Sequence, residues 1–74
     1  MVKHRLNTLY KEAAETAVAL EHQGRYGEAA SYWTHAIRFA GHYANEDWAQ
    51  SRLEFCQRMG RRIEAANRDN KRAA

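Results

Sequence analysis

QGRYGEAASYWTHAIRFA, residues 23–40, decides the fold, because it carries a tight turn signal with an amphipathic segment on either side. Tyr26, Ala29, Ala30, Trp33, Ala36, Ile37 and Ala40 recur at steps of three and four, which place side chains on one face of a 3.6-residue helix. The face alternates small and large. Its alanines let a second backbone approach closely, while Tyr26 and Trp33 supply apolar area for the contact. Gly24 stands where a preceding helix has to stop, and glycine enters the left-handed conformation of a helix C-terminus without a Cβ penalty. The expected unit is helix, short turn and helix, folded back as an antiparallel hairpin.

Working outward, a first helix is expected to start between Val2 and Thr8 and to run to about Gln23. Leu6, Leu9, Tyr10, Ala13, Ala17 and Leu20 form its apolar stripe, and its alanine- and glutamate-rich middle favours helix. The second helix spans about Gly27 to Ala40, with Gly41 ending it. Beside its main stripe runs another, Tyr32, Phe39 and Tyr43, with Ala36 shared between the two. So wide an apolar arc needs two partners, a third helix or a second subunit covering what the first helix does not. The third helix is expected to open on Asn45 as N-cap, with Glu46 and Asp47 in its first turn. Its stripe is Trp48, Ala49, Arg52, Phe55, Cys56, Met59 and Ile63, with Leu53 at the edge. Arg52 is a charge among apolar neighbours. Its guanidinium either reaches water, the more usual outcome, or pairs with a carboxylate such as Glu21. Gly60 weakens the helix locally, and from about Asn67 the sequence NRDNKRAA has nothing to bury. The organisation is therefore a three-helix domain over 1–66 and a basic, disordered tail over 67–74.

Seventy-four residues make one domain with a thin core, since a chain of this size buries only about 60% of its unfolded surface. The single Cys56 excludes an intrachain disulfide, and His4, His22, His35 and His42 lack the close spacing of a structural zinc site. Self-association is the remaining way to bury more apolar surface, so a homodimer is expected. No apolar run reaches the length of a membrane span and MVKHRLNTLY contains no secretion-signal block, so a cytoplasmic location is expected. The formal net charge of +3 is unevenly distributed. Arg58, Arg61, Arg62, Arg68, Lys71 and Arg72 against Glu64 and Asp69 give +4 from residue 58 onward, leaving −1 for residues 1–57. Such an end suits nucleic acid or an acidic protein surface, although basic residues also favour helix C-termini and solvated tails.

Gly24, Tyr26, Ala29, Trp33 and Ala36, with Ala17 and Leu20 before them, have the spacing of a tetratricopeptide-type helical hairpin. The closing proline of such repeats is absent, and one hairpin with one further helix is too short for a binding superhelix. Over residues 10–57 the chain more closely resembles the small AraC negative regulator (ANR) family. The resemblance is carried by Tyr10, Ala13-Ala14, Glu21, Gly24, Tyr26, Ala29, Trp33, Ala36, Ala40, Asn45, Trp48, Arg52 and Phe55-Cys56. Its most specific part is the run Asn-x-x-Trp-x-x-x-Arg-x-x-Phe-Cys from Asn45 to Cys56. It implies a small helical bacterial protein, also found on phages and plasmids, that binds AraC-type activators and lowers their activity. Family members are also associated with global nucleoid-structuring regulators.

The residues themselves argue against catalysis, since no serine, cysteine or carboxylate pair stands at a spacing that assembles a nucleophile and base on one face. GRYG lacks the lysine of a phosphate-binding loop. No cofactor or metal is expected. Cys56, on an apolar stripe, suits a buried thiol; as a redox sensor it would need exposure beside a basic group, and Arg52 is one turn away. A DNA-reading helix-turn-helix fits poorly, because the second helix opens Gly27-Glu28-Ala29-Ala30-Ser31 and offers only Arg38. Eight aromatic residues exceed what three short helices hide. Tyr32, Phe39, Tyr43, Trp48 and Arg52 are therefore the expected partner-binding residues. Non-specific nucleic-acid or acidic-surface contact falls to Arg58, Arg61, Arg62, Arg68, Lys71 and Arg72. The expected function is negative transcriptional regulation by protein–protein binding to an AraC-type activator or other bacterial regulator. The alternatives are a phage- or plasmid-encoded inhibitor of another host complex and a small nucleic-acid-associated protein.

Overall fold

The computed structural model describes the backbone of residues 2–73 and the side chains of residues 8–70. Three helices follow in order: α1 (Val2–His22), α2 (Tyr26–Phe39) and α3 (Tyr43–Ala73), with no strand among the described residues. The protein is all-α. α2 packs against both α1 and α3, while the Cα traces of α1 and α3 hardly meet, so the helices form one layer with α2 in the middle.

The link between α1 and α2 is set by Gly24, at φ +76°. The Gly24 N–H donates to the Glu21 carbonyl and the Arg25 N–H to the Leu20 carbonyl, both at 2.9 Å. These are the paired bonds of a Schellman motif, with Gly24 as its left-handed residue. The motif satisfies carbonyls that the end of α1 leaves free and reverses the chain within three residues. α2 then starts at Tyr26, whose next turn is closed by Ala29 N–H donating to the Arg25 carbonyl at 3.0 Å.

The core lies on α2 and its two neighbours. Ala17, Ala29, Trp33, Ala36, Ala49 and Cys56 are wholly buried, and Leu20 nearly so. Trp33 is the largest of them, and the small residues around it are what allow three helices to close on one indole. Tyr10, Ala13, Tyr26, Ile37, Leu53 and Phe55 pack around this centre half-buried. The side chain of Leu6, expected on the α1 stripe, lies outside the described residues.

Two expectations are corrected. α3 does not open on Asn45: it starts two residues earlier at Tyr43, and the Glu46 N–H donates to the His42 carbonyl at 3.0 Å. Asn45 is already helical, and its own carbonyl accepts a 3.2 Å bond from the Tyr10 hydroxyl, tying α3 to α1. Tyr43 consequently belongs to α3 rather than to a continuing α2 stripe, because the chain turns extended at Ala40. The described backbone does not leave the helix near Asn67. α3 runs through Gly60 and on to Ala73, as expected where good helix formers such as Arg61, Arg62, Ala65 and Ala66 outweigh one glycine and no proline intervenes.

Because φ +76° costs an L-residue about 1–2 kcal/mol, Gly24→Ala is expected to lower the melting temperature by roughly 4–16 °C. Gly27→Ala, in the helical first turn of α2 with open space around it, should leave the melting temperature unchanged or raise it in the same calorimetric scan.

Candidate functional site

At the centre of the layer stands Glu21, at the end of α1. Its carboxylate accepts a 2.6 Å bond from the Trp33 indole N–H of α2. On its other side it is paired with Arg52 of α3, which donates through Nη2 to Oε1 and through Nε to Oε2, the latter at 3.4 Å. Only 9% of the Glu21 side chain and 29% of Arg52 remain exposed. Of the two outcomes open to Arg52, pairing has replaced free access to water. The neighbouring rings explain why: the guanidinium lies 4.3 Å from the Phe55 ring centre and 5.8 Å from that of Trp48, a stacked environment that suits a planar, weakly hydrated cation.

The electrostatics follow from this arrangement. Burial by itself would raise the Glu21 pKa, but the hydrogen bonds from Arg52 and Trp33 and the Arg52 charge outweigh it, and the group is held below its ordinary value. Glu21 conversely raises Arg52. Burial and the Glu21 charge push the wholly buried Cys56 thiol up to about 11, which keeps it protonated and unreactive at neutral pH. The cluster is therefore a helix-to-helix lock. Among the described residues no three His, Cys, Asp or Glu side chains come close enough to hold a metal ion.

The expected partner-binding residues divide into separate patches. Tyr32 and Phe39 of α2 line an open groove of about 270 Å³ with Leu9, Ala13 and Thr16 of α1 and His35. Tyr32 is 41% exposed and stands edge-on to His35, with ring centres 6.0 Å apart. The second stripe of α2 is thus bordered by α1 and left uncovered by α3. Trp48 is 54% exposed and lies edge-on to Trp33, at 6.5 Å and 87°. Tyr43, at 83%, is the most open of the large apolar side chains. Arg52 is committed to Glu21. Leu9 and His35 join the expected residues in the groove, His35 being on the face of α2 that Tyr32 occupies three residues earlier. Arg58, Arg61, Arg62 and Arg68 are exposed along α3, while the side chains of Lys71 and Arg72 lie outside the described residues.

The chain is 42% identical over 53 residues to an uncharacterized protein in the Mu-like prophage FluMu region of Haemophilus influenzae, a match covering 72% of this chain and 71% of the relative. It belongs to that protein's family. No protein-family model and no solved structure matches the chain.

A double-mutant cycle on Glu21 and Arg52, read by urea unfolding, should give a coupling of about 1–3 kcal/mol. The same cycle on the exposed Lys11–Glu15 pair should give below about 0.5 kcal/mol. Since folding lowers the Glu21 pKa, its contribution is fully present above the unfolded value near 4.5 and is lost as pH falls through the folded value. The stability gap between wild type and Glu21→Gln should therefore narrow on acidification below pH 4.5.

Proposed function

We propose that this protein is a non-enzymatic negative regulator that acts in the cytoplasm by binding another protein, an AraC-type transcriptional activator, through the groove of Leu9, Tyr32, His35 and Phe39. The observation that carries the reading is the placement of two aromatic side chains in an open groove between α1 and α2. Exposed aromatics in a concave apolar setting are the residues that dominate protein interfaces. The activator as partner follows from the resemblance of residues 10–57 to the ANR family, and prophage kinship suits a regulator carried on mobile DNA.

The same face serves self-association in this reading. A compact monomer of 8.6 kDa is expected to expose roughly 4,700 Å², and the chain exposes 5784 Å². Part of that surplus is the exposed stretch 61–70 of α3, so self-association through this face rests on the uncovered aromatics Tyr32 and Phe39. A homodimer would then compete with the activator for the groove.

With a purified full-length AraC-type activator, the Tyr32→Ser, Phe39→Ser variant is expected to bind at least about tenfold more weakly than wild type. It should also fail to lower expression of a reporter driven by that activator. Unchanged binding and repression by a variant with wild-type helicity would overturn the reading.

A further inference from the structure

The second half of α3 has a property that the groove does not use. At about 100° per residue, Arg58, Arg61, Arg62 and Arg68 fall within roughly 120° of one another on the helix. The middle of that arc lies opposite Ala49 and Cys56, the residues by which α3 enters the core. All four arginines are exposed, and none makes an ion pair among the described residues. Glu54 and Asp69 lie inside the same arc, one turn before Arg58 and one residue after Arg68, with Glu54 already accepting a 3.2 Å bond from Gln50. On this part of α3 the open groove against the α1–α2 turn reaches Gly60, Ile63 and Glu64, and every described side chain from 61 to 70 is exposed. The ridge is therefore a helix projecting from the layer, part of a segment carrying +4 on a body carrying −1.

We infer that this ridge binds the phosphate backbone of double-stranded DNA without reading its sequence. Two features favour a duplex over an acidic protein. The arc contains no large apolar side chain, only Ala65 between its arginines. A protein interface needs such an anchor at its centre, whereas phosphate contact does not. The ridge is also convex and lies along one exposed helix, about 10–12 Å across with its side chains, which a major groove about 12 Å wide admits. Guanidinium groups with no ion-pair partner among the described residues are available to bond phosphate oxygens bidentately. The segment would hold the regulator near DNA-bound activators and leave the α1–α2 groove free.

The test is fluorescence anisotropy of the full chain with a labelled 30-base-pair random-sequence duplex, titrated over 50–200 mM KCl. Three to four phosphate contacts predict a slope of log K against log salt near −3, an affinity loss approaching 100-fold over that range. A variant with all four arginines changed to Gln should flatten the slope and lose most of the affinity at 50 mM. A variant with all four changed to Lys should keep both, while circular dichroism shows equal helicity throughout. No binding by wild type at 50 mM salt, or the same slope in the Gln variant, would overturn the inference. Binding of poly-glutamate in preference to the duplex would also overturn it, assigning the ridge to an acidic protein.

Discussion

The seat of Trp33 governs the rest of the structure. Its ring is wholly buried on α2 and its indole N–H reaches the Glu21 carboxylate, so a side chain too large for so thin a core leaves no unsatisfied polar atom. That carboxylate, itself nearly buried, requires a counter-charge, and Arg52 supplies it from α3. One chain of contacts therefore joins the three helices. Desolvating Glu21 is costly in isolation, and it is compensated because two donors and a cation converge on it.

A single layer centred on α2 has consequences for function. With α1 and α3 on either flank, the Trp33 face is closed and the Tyr32–Phe39 face remains open as a groove. Three short helices cannot cover every side of the middle one. The polar lock holds the charge of Arg52 on the other side of α2, and the groove is lined by Leu9, Ala13, Tyr32 and Phe39 with Glu12, Thr16 and His35. The unpaired arginines lie farther along α3, pointing away from the core. Apolar and cationic surfaces are thus separated on one small molecule.

Much of the fold was legible because strong local rules coincide at particular residues. Gly24 marked the turn, and the three- and four-residue steps through Ala29, Trp33 and Ala36 marked the buried face. The misplaced start of α3 shows where a local rule competes with another. Asn45-Glu46-Asp47 has the composition of a helix start, yet the extended backbone at Ala40 lets the helix begin at Tyr43. Asn45 instead uses its carbonyl to hold Tyr10. Over residues 67–73, where the composition offers nothing to bury, the backbone is helical. The Arg52–Glu21 pair was one of two stated outcomes. Choosing between them needed the position of Glu21 beside the guanidinium, which 31 residues of sequence separation conceal.

The most direct test of the Trp33 lock is the hydrogen exchange of the two tryptophan indole N–H groups, followed by NMR on the full chain. Trp33, buried and bonded to Glu21, should exchange only when the protein unfolds globally, with an opening free energy equal to that from denaturant titration. Trp48, half exposed on α3, should exchange far faster. If Trp33 exchanges as fast as Trp48, the indole is not locked between the helices, and the account of what holds the layer together is wrong.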